Sequence, residues 1–139
     1  MIRLPTLSMT KIITFLKFIF YLSIILLIII SLFPGSLLGF LFYGDLSRQP
    51  SLIDNPFGST INHFIFYIYI SLLGFFVYMN NKNFQFFFYS LIFLAVFLEI
   101  IHLILPYRAF QLGDLAGNVL GVFISYFLVK IYIYNKSYE

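Results

Sequence analysis

The chain has 139 residues, 62% of them hydrophobic and only 9% charged. Soluble domains carry about 45–50% apolar residues, so this composition excludes an ordinary water-soluble fold and predicts one compact membrane domain. The absence of cysteine excludes a disulfide framework, a thiolate metal site and lipoprotein-type lipidation, and the net charge of +3 is spread around apolar runs rather than gathered in a nucleic-acid-binding tract.

In chain order, residues 1–11 form a short basic segment and residues 12–33 a first apolar run. Lys17 interrupts this run near its start, where a long side chain can snorkel to the headgroups. The run exceeds a typical signal-peptide core and no A-x-A-like cleavage site follows, so it is expected to be an uncleaved signal anchor. Pro34-Gly35 should end the helix. Residues 36–43 are apolar but too short to cross, and are expected to lie along the interface or fold back into it. With the irregular segment around Pro50, Asn55-Pro56 and Gly58 they make an outer loop over 34–59.

Residues 60–79, 84–105 and 112–134 give the second, third and fourth spans. Each meets the requirement of roughly 20 residues for a helix across ~30 Å of hydrocarbon. The short connections between them predict an antiparallel bundle, with residues 135–139 as a tail. With the two termini on one side, Arg3, Lys11, Lys17, Lys82, Lys130 and Lys136 oppose Arg48 and Arg108. This asymmetry puts both termini in the cytoplasm. The expected architecture is therefore an all-α, multi-pass membrane protein of four transmembrane helices.

On this map six polar residues reach one depth at the outer face. His63 opens span two, Glu99 and His102 end span three, Arg108 lies in the following loop, and Asp114 and Asn118 open span four. At 1.5 Å per residue, Glu99 and Asn118 lie about 9 Å inside their helix ends. Asp114, Asn118, Gly121 and Ser125 fall within about 60° of one another on a helical wheel, and His63, Tyr67 and Gly74 share a stripe on span two. Glu99 and His102 are helical neighbours. Gly113, Gly117 and Gly121 recur at every fourth residue, a small-residue pattern that permits close helix contact.

Glu99-Ile-Ile-His102-Leu-Ile-Leu-Pro106-Tyr-Arg108, followed by Asp114-Leu-Ala-Gly-Asn118-Val-Leu-Gly121, resembles the VanZ-like family of bacterial membrane proteins, whose pattern runs E-x-x-Q, P-x-R, D-x-x-x-N-x-x-G. His63-Phe64 with Tyr67 is similar to the family's upstream H-F-x-x-Y. The resemblance covers residues 59–125, with the first span matching only as a generic anchor. There are two departures from it: Ser59-Thr60 stands where the family often has Asp-Lys, and His102 where Gln is usual. The resemblance implies a cell-envelope protein of a family named for resistance to the glycopeptide antibiotic teicoplanin, and it supplies no settled reaction.

Each group has a bland reading beside the functional one. Glu99 can pair with Arg108 to fix the end of span three. Asp114 can cap span four. Asn118 can bond a neighbouring helix. Arg108 can touch headgroups, and His63 can anchor span two. One shared polar pocket explains all of them together. In that pocket Glu99, His102, Asp114 and His63 are the candidates for proton transfer, and Arg108, Asn118 and Tyr67 for ligand contact. The Glu-x-x-His spacing occurs in helical metal sites, but a single pair without further ligands gives no metal or cofactor expectation. No nucleophile motif and no phosphate-binding glycine loop is present.

Three functions compete. In the first, the pocket binds or modifies an anionic lipid or a lipid-linked glycan such as a peptidoglycan precursor, with Arg108 on the anionic head. In the second, the chain is a non-catalytic helper that meets a membrane-protein partner through its glycine stripe and phenylalanine surface. A transporter is the least suited, because no internal repeat or broken midplane helix is evident.

Overall fold

The computed structural model describes residues 7–48, 50, 58–79, 82 and 84–136, without the side chains of 7–9. Residues 137–139 of the expected 135–139 tail, most of the N-terminal segment including Arg3, and the loop around Asn55-Pro56 lie outside the described residues, and residues 135 and 136 of that tail continue the last helix. Five helices follow in order: α1 (Leu7–Leu32), α2 (Leu37–Tyr43), α3 (Thr60–Tyr78), α4 (Phe84–Ile101) and α5 (Leu112–Lys136). Among the described residues there is no strand. The helices α1, α3, α4 and α5 are long and apolar enough to cross a membrane.

Two boundaries differ from the hydropathy reading by four residues or more. Helix α1 starts at Leu7 rather than near 12, because hydropathy marks the edge of an apolar run while backbone hydrogen bonding continues past it. Helix α4 ends at Ile101 rather than 105. Beyond it the backbone N–H groups of His102, Leu103 and Ile104 each bond to the carbonyl three residues earlier, so the chain tightens. Pro106 also disfavours a helical Leu105.

The break after α1 is built by Pro34 and by Gly35, which adopts φ 81. A Cβ there would lie 2.6 Å from the Leu46 carbonyl oxygen, so glycine is required by conformation and by space alike. Ser36 then caps α2, its hydroxyl accepting from the Gly39 N–H at 2.9 Å, while Gly44 closes the helix in the left-handed region. Asp45 accepts from both the N–H and the hydroxyl of Ser47, and these bonds hold its carboxyl below the usual carboxylate range. The Arg48 guanidinium stacks 3.8 Å from the Tyr43 ring centroid. Gly39 touches the returning loop so closely that its Cβ would fall 1.7 Å from the Arg48 carbonyl oxygen. Gly39→Ala is therefore expected to open the 36–48 segment while the long helices persist, seen as faster hydrogen exchange confined to that segment.

Burial departs from that of a soluble protein. Ser23, Ser71, Glu99, Asp114, Asn118 and Ser125 are buried, whereas Phe18, Ile25, Phe76, Phe86, Phe93 and Phe127 are exposed on the four long helices. Lipid as solvent gives that distribution, and packing rather than the hydrophobic effect must then hold the helices together. The closest packing joins α5 to α3. A Cβ at Gly117 would lie 2.9 Å from the Thr60 carbonyl oxygen, and one at Gly121 would lie 2.9 Å from Tyr67 Cβ and 3.0 Å from the Phe64 carbonyl oxygen. Helix α1 crosses α3 where the Phe20 ring fills the space over Gly74 and Ser23 Oγ meets Tyr69 Oη at 3.1 Å. Phe75 packs with Phe84, Phe88 and Tyr126 in an aromatic cluster joining α3, α4 and α5.

Candidate functional site

The C-terminal ends of α1 and α4 meet the N-terminal ends of α3 and α5, and the polar side chains gather there. Asp114 lies in the first turn of α5, where a carboxylate faces the positive end of the helix dipole. It also joins α5 to the start of α3. Ser59 Oγ donates to it at 2.9 Å and Thr60 Oγ1 at 2.9 Å, and His63 Nε2 stands 3.5 Å away. Two neutral hydroxyl donors thus satisfy the buried carboxylate.

His63 is held on both sides. Its Nδ1 lies 3.1 Å from Asn118 Oδ1, and its Nε2 faces Asp114. With the Asn118 amide NH2 turned toward Nδ1 the proton of a neutral imidazole lies on Nε2 and points to Asp114, whereas with Oδ1 turned toward it Nδ1 is the donor. Asn118 is buried one turn deeper than Asp114, so α5 presents an acid and an amide to one imidazole.

The second imidazole is held in a similar way. His102 Nε2 lies 3.2 Å from the Ser31 carbonyl oxygen, which only accepts, so that nitrogen carries a proton. Its Nδ1 is 3.3 Å from Glu99 Oε2, and a proton on one of these two atoms avoids lone-pair repulsion. The other carboxylate oxygen accepts from the Gln111 N–H at 3.0 Å, which ties the start of α5 to the end of α4.

Arg108 does not pair with Glu99, contrary to the simplest reading of the sequence. Its Nη2 donates to the Ile30 carbonyl at 2.7 Å and its Nε to that of Phe33 at 3.4 Å. The last turn of α1 leaves carbonyls without intrahelical partners at the negative end of the dipole, and a guanidinium suits them. Burial lowers the Arg108 pKa, and the fields of Glu99 and Asp114 oppose that shift. Arginine remains protonated in either case. Among the described residues no carboxylate forms an ion pair with it.

These groups surround a cavity of about 410 Å³. His63, Tyr67, His102 and Arg108 line one part of it, together with Ser31, Ser36 and Asn62. Leu27 and Ile30 of α1, Leu37, Leu38 and Phe42 of α2, and Phe66 of α3 line the rest. Glu99, Asp114 and Asn118 stand behind the imidazoles rather than in the wall. Tyr67 is buried, and its hydroxyl has no hydrogen-bond partner. Gly113, Gly117 and Gly121 lie at the α3 contact, where they let the two helix backbones approach. No group of three or more His, Asp or Glu among the described residues is placed to hold a metal ion.

The sequence reading missed the end of α1 and the whole of α2 as parts of this site. The α1 contribution is carried by the backbone carbonyls of Ile30, Ser31 and Phe33, which leave no mark in a sequence. Ser59 and Thr60 were visible only as departures from the family pattern. No family profile, curated protein or solved structure matches the chain.

One substitution separates holding from proton transfer at position 102. The amide of His102→Gln can still donate to the Ser31 carbonyl, whereas His102→Leu cannot. His102→Gln is expected to keep the thermal midpoint near that of the natural chain, and His102→Leu to lower stability by about 1–3 kcal/mol through an unpaired, partly buried carbonyl. Denaturation of both variants in the same detergent checks this.

Proposed function

We propose that the chain is a VanZ-like integral membrane protein of the cell envelope, an antiparallel four-span bundle with both termini cytoplasmic, whose cavity binds an anionic lipid or the anionic end of a lipid-linked glycan at the outer leaflet. The observation that carries this reading is Arg108, a cavity-lining cation whose protein partners are neutral carbonyls. An anion in the cavity completes its coordination, since guanidinium N–H groups remain beyond the two that it uses. The orientation is supported by Lys17 lying over Tyr78 and Lys130 over Tyr126, at the end of the bundle remote from Arg108. More positive charge at that end supports a cytoplasmic placement for it.

Binding is favoured over modification. Both ring nitrogens of His63 and of His102 face protein groups, so neither imidazole presents a free nitrogen to a ligand. The helper reading loses one of its two contact faces, because the glycine stripe is already covered by α3.

The test is lipid retention by the purified chain, read by native mass spectrometry after exchange into equal phosphatidylglycerol and phosphatidylcholine. The natural chain is expected to retain phosphatidylglycerol preferentially, and Arg108→Gln to lose that preference by about tenfold or more. Equal preference in the two proteins would overturn the reading.

A further inference from the structure

We infer that the cavity encloses one hydrocarbon chain of a phosphate-bearing lipid whose phosphate rests on Arg108, an inference that depends on the anion-binding reading above. The charge and the apolar wall lie in the same cavity. Leu27 and Ile30 from α1, Leu37, Leu38 and Phe42 from α2 and Phe66 from α3 give it aliphatic and aromatic sides. At about 410 Å³ it lies near the lower end of the ~300–1,000 Å³ range of small-ligand pockets, enough for part of a lipid and too little for two chains and a head.

A sugar fits the wall poorly. Recognition of hydroxyls needs several free donors and acceptors, and here the imidazoles of His63 and His102 are engaged with Asp114, Asn118, Glu99 and the Ser31 carbonyl. Helix α2 supplies the route for a chain. Leu38 and Phe42 line the cavity and are also 40% and 70% exposed, so the apolar wall continues from inside the cavity to the outer surface of the protein. A hydrocarbon chain can pass along that surface without crossing polar groups, leaving its phosphate at the Arg108 end.

The experiment fills the cavity. Leu27→Trp and Leu38→Trp are each exchanged into phosphatidylglycerol and phosphatidylcholine beside Arg108→Gln, with inorganic phosphate as a separate competitor. Both tryptophan variants are expected to retain about tenfold less phosphatidylglycerol than the natural chain, and millimolar phosphate to displace none. Wild-type retention in both variants would overturn the inference, as would displacement by phosphate alone, because the head would then suffice. Those results leave the anion-binding reading standing, whereas an unchanged phosphatidylglycerol preference in Arg108→Gln removes that reading as well. A second measurement needs no variant: phosphatidylglycerol bearing a mid-chain diazirine should cross-link the natural chain on α1, α2 and α3 at the cavity. Cross-links confined to the exposed faces of α4 and α5 would overturn the inference.

Discussion

Gly121→Leu is expected to separate α5 from α3 and to remove the folded bundle under conditions where the natural chain is stable. The added Cβ alone would lie 2.9 Å from Tyr67 Cβ, 3.0 Å from the Ile68 nitrogen and 3.0 Å from the Phe64 carbonyl oxygen. Two of those neighbours are backbone atoms inside a helix and cannot rotate away. The remainder of a leucine side chain has no space to enter, so the helices must part. Overpacking of this kind costs about 3 kcal/mol or more, and Gly121→Ala should cost about 1–3 kcal/mol. Helix association in lipid depends on such close contact, with no hydrophobic driving force to replace it. Separation would also carry Asp114 away from Ser59 and Thr60, and Asn118 away from His63. Gly113→Ala should be milder, because its Cβ meets the Thr60 hydroxyl, the end of a side chain that can turn. Denaturation midpoints for the three variants should fall in the order Gly113→Ala, Gly121→Ala, Gly121→Leu, from highest to lowest.

Glu99→Leu is expected to have the second large effect, a loss of about 3–5 kcal/mol, the usual cost of breaking one side of a buried ion-pair contact. Glu99 is 1% exposed. Its Oε1 accepts from the Gln111 N–H, and its Oε2 faces His102 Nδ1. Leucine leaves the buried His102 Nδ1 and the Gln111 N–H without their acceptor. Glu99→Gln differs in kind, since its amide oxygen still accepts from Gln111 and its NH2 can donate to Nδ1 of a neutral His102. That imidazole keeps its Nε2 proton on the Ser31 carbonyl. The glutamine variant should therefore fold and insert, with a loss of about 1 kcal/mol. A leucine variant as stable as the glutamine variant would mean that the carboxylate contacts contribute little to holding α4, α5 and α1 together.

The four long helices could be read from composition because a ~30 Å apolar layer demands runs of about 20 residues whatever the fold. The inward edge of α5 was legible for a related reason: polar side chains in lipid turn toward protein, and Asp114, Asn118, Gly121 and Ser125 are all buried. Other parts of the site left no such signal. Arg108 has two carboxylates in its field, and charge alone suggests Glu99 as its partner, yet its bonds go to carbonyls at the end of α1. Every residue carries a carbonyl, so no sequence pattern marks those that a break at Pro34 exposes. The return of α2 was similarly hidden. It depends on Gly39 meeting the Arg48 backbone and on the Ser36 N–H reaching the Leu46 carbonyl, contacts between backbones. The early end of α4 was visible in part, since Pro106 lay in view and the tightened turn before it did not.

The central claim is that the Arg108 guanidinium receives its counter-charge from a bound lipid phosphate. The most direct measurement is the phosphorus-to-nitrogen distance at that side chain by solid-state NMR, in phosphatidylglycerol bilayers. Arginine occurs at positions 3, 48 and 108, so Arg3→Lys with Arg48→Lys leaves ¹⁵N-arginine label at Arg108 alone. A direct phosphate contact predicts dephasing of the side-chain nitrogens that fits a separation of about 4 Å. Nitrogens that show no phosphorus within that range in a folded, bilayer-embedded sample would contradict the account.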